Sequence, residues 1–140
     1  MISKKSIDFI INHEIGGRNV YDKKYSKPIW AGGESGLTIG IGYDLGYNTE
    51  KDLFSDWKDL NLNFLNAMKP FCGMKGERVK SMMKGEVLNV VVPYNIAYDV
   101  FVKVSIPKFY AQTKKIYPQL DQLNEDTQGA LVSMVYNRGA

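Results

Sequence analysis

The stretch Ser35-Gly36-Leu37-Thr38-Ile39-Gly40-Ile41-Gly42-Tyr43-Asp44-Leu45-Gly46 separates into two faces when read with a period of two. Leu37, Ile39, Ile41, Tyr43 and Leu45 fall on one face, which is made to be buried. Thr38, Gly40, Gly42 and Asp44 fall on the other, a floor of glycines with a hydroxyl at one end and a carboxylate at the other. Glycine inside a strand loses backbone entropy and packs nothing, so two at alternate positions imply a bend or a close approach to the backbone. Distance favours the bend. A straight strand rising about 3.3 Å per residue would hold Thr38 and Asp44 roughly 20 Å apart. Gly40 and Gly42 are where a turn is tolerated, and a turn there brings the two polar ends together.

Outward from this element the chain reads mostly as helix. Ser3 to His13 has a broad apolar stripe of Ile7, Phe9, Ile10 and Ile11, with Ser3 or Ser6 as cap and Gly16-Gly17 as stop. Glu14 therefore falls at the C-terminal end of that helix. A carboxylate there faces the negative end of the helix dipole, which favours the proton-donating form a general acid needs. Residues 16–36 read as one long connection rich in Gly, Tyr, Lys and Asp, and long connections inside compact domains tend to carry function. Thr49 caps a helix containing Leu53, Phe54, Trp57 and Leu60, and Leu62 to Met68 continues as helix until Pro70. Val87 to Val92 is a β-branched run that reads equally as strand or as the approach to a helix. Pro93 opens a long helix through Lys115, interrupted at Pro107, and Asn124 caps a final apolar helix. The expected class is α+β, mostly helical with one small β element near the N-terminus.

Composition narrows the chemistry. The chain has 140 residues, enough for one domain with its own core, and a net charge of +3. Lysine and arginine are spread out, so no basic stripe marks a nucleic-acid partner. Cys72 is the single cysteine and His13 the single histidine, which excludes an intrachain disulfide, a cysteine-based zinc site and a Ser-His-Asp triad. The first residues carry charge but lead into Asp8, Asn12, His13 and Glu14 rather than an apolar run, so neither a signal peptide nor a membrane span is expected.

Glu14 followed by Thr38-Ile-Gly-Ile-Gly-Tyr-Asp44 resembles the active-site region of phage-type lysozymes, the muramidases of tailed-phage endolysins. The position of the aspartate, after the threonine, is most similar to pesticin-type bacteriocin catalytic domains. Ile116-Tyr-Pro-Gln-Leu-Asp and Gly129 to Gly139 are similar to the family's central helix and the segment before it, so the resemblance spans nearly the whole chain. It implies a lysozyme-like α+β fold of residues 1–140, with a small N-terminal antiparallel sheet and a cleft between two lobes. It also implies Glu14, Thr38 and Asp44 as the catalytic set, with no metal or cofactor. Phage enzymes usually carry the aspartate before the threonine, where this chain has Asp22 and Glu34. Glu34 is therefore the secondary candidate for the second carboxylate. Family members continue past the central helix, so the resemblance implies a fragment, a truncated version or a surface supplied by another chain, and without that surface Leu131 and Val135 are expected to be exposed.

In glycoside hydrolysis with inversion, one protonated carboxyl donates to the leaving oxygen and a carboxylate about 6.5–9.5 Å away activates water. Glu14 is the natural acid, Asp44 or Glu34 the charged partner, and Thr38 the group that positions water. Gly40, Gly42 and Tyr43 are the substrate-binding candidates, and Tyr21, Tyr25 and Trp30 offer rings for sugar stacking. Plainer readings stand beside these: Glu14 as a solvated helix-end residue, Asp44 as the start of a turn before Gly46, the aromatics as packing, and Arg138 as a dipole partner rather than a cleft residue. The resemblance implies bacterial peptidoglycan as partner, reached after delivery or lysis, with an immunity or inhibitor protein and a second chain completing the C-terminal lobe as further candidates. The competing expectation is a lysozyme-like module that binds peptidoglycan without cleaving it.

Overall fold

The computed structural model describes residues 2–138, with side chains through 137, so the side chain of Arg138 lies outside what is described. The chain forms helices α1 (Lys4–Ile15) and α2 (Arg18–Val20), then strands β1 (Ile29–Trp30), β2 (Leu37–Ile39) and β3 (Tyr43–Asp44). Helices α3 (Glu50–Asp56), α4 (Leu62–Met68), α5 (Glu77–Met82), α6 (Tyr94–Val100), α7 (Ile106–Ile116) and α8 (Glu125–Arg138) follow. The three strands form one antiparallel sheet in the order β1-β2-β3. The class is α+β, mostly helical.

Local chemistry sets the ends of α1. Ser3 accepts from the Ser6 N–H at 3.2 Å, and Gly16, at φ 73°, donates its N–H to the Asn12 carbonyl at 2.8 Å. The helix thus runs two residues beyond the expected His13, leaving Glu14 in its last turn. Phe9, expected on the apolar stripe, is exposed and stacks on His13 with ring centroids 6.4 Å apart. Thr49 and Asp52 form a reciprocal capping box at the start of α3. Asn124 caps α8, its side-chain oxygen accepting from the Thr127 N–H at 2.8 Å.

Residues 16–36 are not a plain loop. α2 runs into a wide π-helical turn at Tyr21–Tyr25, and β1 follows. The buried Tyr21 hydroxyl donates to the Val92 carbonyl at 2.8 Å, and the Val92 N–H donates to the Ser26 carbonyl at 2.7 Å. These bonds hold 90–92 as an extended segment beside the turn, and among the described residues Val87–Val92 forms no strand. A second π-helical turn, Phe101–Ser105, joins α6 to α7. Pro107 supplies no N–H and crowds the carbonyl four residues before it, and the widened turn accommodates it without ending the rod.

Val135 is buried and Leu131 packs against the core as a half-buried residue, so the expected exposure of that face is corrected. α8 packs on both α1 and α7, and those contacts cover it. The core gathers α1, the sheet and the later helices around Trp57, Tyr21 and Phe101, each nearly free of solvent contact. No helix among the described residues is long and apolar enough to cross a membrane.

Candidate functional site

β2 and β3 form a hairpin closed by the pair Ile39 and Tyr43, and its three-residue tip is Gly40-Ile41-Gly42. Gly40 (φ 58°) and Gly42 (φ 68°) both adopt the left-handed conformation that side chains resist. The bend required by distance is thus present at the expected residues. Thr38 and Asp44 stand directly opposite each other, a register that brings their α-carbons to about 4.5–5.5 Å. The two-face reading also survives the bend. Leu37, Ile39, Ile41, Tyr43 and Leu45 are all buried in the core. Thr38, Gly40, Gly42 and Asp44 all line one cavity of about 510 Å3.

Glu14 lines the same cavity from the end of α1, together with Lys24 and Tyr25. Glu14 is exposed to solvent, and its Oε1 lies 3.7 Å from where a β-carbon on Gly42 would sit. The cavity therefore joins a helix terminus, the turn after α2 and the hairpin, which are separate in sequence. A smaller cavity of about 200 Å3 adjoins it, also bordered by Gly42, Tyr43 and Asp44 and continuing along Asn48, Lys108 and Phe109.

What approaches the bare glycine face is partly the protein itself. A β-carbon on Gly40 would lie 2.5 Å from the Trp57 ring, and one on Gly42 would lie 2.7 Å from the Tyr136 hydroxyl. Tyr136 was not foreseen. It comes from α8, its ring set edge-on to Phe101 (5.9 Å between centroids) and Phe109 (4.6 Å). Burial first, then the Glu14 charge and hydrogen bonding to Glu14, push its hydroxyl above the ordinary tyrosine range. The Tyr136 hydroxyl and Glu14 Oε1 are thus neighbours at the Gly42 end of the hairpin tip. The only signal in the sequence was a polar-tipped ring among the apolar positions of the last helix.

Asp44 has a structural task as well as a place in the cavity. The Gly36 N–H donates to both its carboxylate oxygens at 3.1 Å, and the Gly46 N–H donates to Oδ1 at 2.8 Å. Gly36 has no room for a side chain because the Gly46 nitrogen would lie 2.5 Å from its β-carbon. The carboxylate therefore staples the segment before β2 to the turn after β3. This is the turn role expected of an aspartate before Gly46, and Oδ2 is left as the less occupied oxygen.

The other candidates fall elsewhere. Tyr43 is buried on the core face, edge-on to Trp57 at 5.3 Å, with its hydroxyl donating to Asp56 at 2.6 Å. It is outside the lining of the cavity that holds Glu14 but borders the smaller adjoining one. Glu34 is exposed in the turn between β1 and β2, and it too is outside that lining, as is the exposed Asp22. Tyr21 is buried and bonded to Val92, and Trp30 donates to the Ser35 carbonyl at 3.0 Å, so both serve packing. Of the proposed stacking rings, Tyr25 lines the cavity, with the Lys24 ammonium 5.2 Å from its centroid. Among the described residues no three His, Cys, Asp or Glu side chains group as metal ligands would.

Comparison with known protein families, with characterised proteins and with solved structures returned no match to this chain.

Proposed function

We propose that this protein is a lysozyme-like peptidoglycan hydrolase that cleaves the β-1,4 bond between N-acetylmuramic acid and N-acetylglucosamine. The observation that carries the proposal is that Glu14 and the opposed pair Thr38 and Asp44 line one cavity. In this reading the three-stranded sheet belongs to the smaller lobe, the later helices form the larger one, and the cavity is the substrate cleft. Glu14 donates a proton to the glycosidic oxygen. Asp44, through Oδ2, stabilises the oxocarbenium-like state or orients water, and the Thr38 hydroxyl positions that water. The adjoining cavity beyond Gly42 and Asp44 gives a polymer somewhere to continue past the scissile bond. Tyr136 is a positioning residue, holding the Glu14 carboxylate toward the hairpin. The substrate is the cell wall, reached after delivery or lysis.

The test is clearing of a suspension of purified sacculi by the wild type and by Glu14→Gln. Clearing by the wild type alone supports the proposal, and equal behaviour of the two proteins removes it.

A second reading has its own support. With the Asp44 carboxylate engaged by two backbone amides, Glu14 is the one carboxyl in the cavity that no backbone amide engages, which suits a module that binds peptidoglycan without cleaving it. Retention on insoluble sacculi with no soluble fragments released would favour that module over the hydrolase.

A further inference from the structure

Another cavity, of about 580 Å3, shares no lining residue with the one that holds Glu14. Two helix faces make it. Lys4, Asp8 and Asn12 are spaced four apart on α1, and Tyr94 and Tyr98 with Asn95 and Asp99 face them from α6. Ile11 and Arg18 complete the lining. The stripes are aromatic and polar, and the cavity they line is open to solvent, with Lys4, Asn12, Arg18, Asn95 and Asp99 all exposed.

The charges are balanced and partly spent. Lys4 donates to Asp8 at 2.8 Å, and the Tyr98 hydroxyl donates to the other Asp8 oxygen at 3.3 Å. The Arg18 guanidinium lies 5.3 Å from the Tyr94 ring centroid, and the two tyrosine rings sit 6.1 Å apart. An anionic ligand would meet the carboxylates of Asp8 and Asp99, and a cationic one would meet Lys4 and Arg18. What remains is a half-buried Tyr98 ring beside the amides of Asn12 and Asn95, the Asp99 carboxylate and the free edge of Arg18. That mixture of donors and acceptors next to an aromatic face matches a molecule whose hydroxyls both donate and accept and whose ring presents C–H groups.

We propose that this cavity is a binding site for a neutral oligosaccharide, formed by Tyr98, Asn12, Asn95 and Asp99 and separate from the cavity of Glu14. The site is a binding site only, and it stands whether or not the Glu14 cavity cleaves glycan.

Residue-resolved NMR of the wild-type protein, titrated with the tetramer of N-acetylglucosamine and separately with the zwitterionic dipeptide Ala-Glu, tests this. The expected result is saturable shifts at Asn12, Asn95, Tyr98 and Asp99 with the tetramer. Removing the ring in Tyr98→Ser should weaken that binding about tenfold, the scale of one lost aromatic contact. Asn95 is exposed, so Asn95→Ala serves as the variant that keeps its fold, and it should weaken binding several-fold. Absence of shifts at these four residues, or shifts there with the dipeptide instead of the tetramer, would overturn the inference. Tetramer shifts confined to Thr38, Gly40 and Gly42 would also overturn it while leaving the reading of the Glu14 cavity intact. Shifts at the four residues in a protein that fails to clear sacculi would uphold this site and remove the hydrolase.

Discussion

Replacing Gly42 by alanine tests how the hairpin, Tyr136 and Glu14 are joined. Two separate costs are expected. The residue sits at φ 68°, where a β-carbon destabilises by about 1–2 kcal/mol. The new methyl would also lie 2.7 Å from the Tyr136 hydroxyl, well inside contact distance. A tyrosine tip can often swing away, but this ring is held edge-on between Phe101 and Phe109. Forcing it aside is an overpacking cost of about 1–2 kcal/mol. Gly42→Ala should therefore lose about 2–4 kcal/mol in urea unfolding.

The two parts can be pulled apart in a Tyr136→Phe background. Removing the hydroxyl leaves the ring carbon 4.0 Å away and Glu14 Oε1 at 3.7 Å, both ordinary contacts. Gly42→Ala should then cost only the backbone part, about 1–2 kcal/mol. The double-mutant cycle accordingly predicts a coupling of about 1–2 kcal/mol between positions 42 and 136. If Gly42→Ala costs the same in both backgrounds, the hydroxyl does not press on the hairpin tip and the joint between α8, β3 and Glu14 is wrong.

Other outcomes follow from the same contacts. Tyr43→Phe removes a 2.6 Å bond to Asp56 and should destabilise by about 1.5–3 kcal/mol while leaving sacculus clearing unchanged, because the hydroxyl is spent on Asp56 and the ring that borders the adjoining cavity is kept; a loss of clearing at full stability would contradict that. Asp44→Asn turns one acceptor into a donor facing the Gly36 N–H and should cost about 1–3 kcal/mol in urea unfolding; no change in stability would mean the staple is inert. Burial above all pushes the Tyr21, Tyr43 and Tyr136 hydroxyls above the ordinary range. The unfolded chain releases those protons near pH 10, so this stability is complete below about pH 10 and falls as pH rises toward the folded values. Urea midpoints that hold level between pH 9 and 11 would refute it.

The hairpin was legible because its evidence is local. Alternation from Leu37 to Leu45 names the buried face, and the reach of an extended chain demands a bend at Gly40–Gly42. Helix ends were legible for the same reason, since Ser3, Thr49 and Asn124 each cap within three residues. The segment 16–36 was not. A π-helical turn has no period of its own in sequence, and the two-residue β1 is too short to alternate. Tyr136 was hidden by distance along the chain, because its meeting with Gly42 and Glu14 depends on how α8 packs. Phe9 was misread because a broad apolar stripe on α1 is only partly covered; Ile7, Ile10 and Ile11 fill the contact without it. The alternation also placed Tyr43, a candidate sugar-stacking ring, on the buried face, where it packs against Trp57.

The central claim is that Glu14 donates a proton to a muramyl linkage held against the hairpin. Purified sacculi digested with wild type and with Glu14→Gln, reduced with borohydride and examined by mass spectrometry, test it most directly. The account predicts soluble fragments ending in reduced N-acetylmuramic acid from the wild type, with release by Glu14→Gln lower by about 100-fold or more. Equal release from both proteins, fragments ending in reduced N-acetylglucosamine, or no release by the wild type would contradict it.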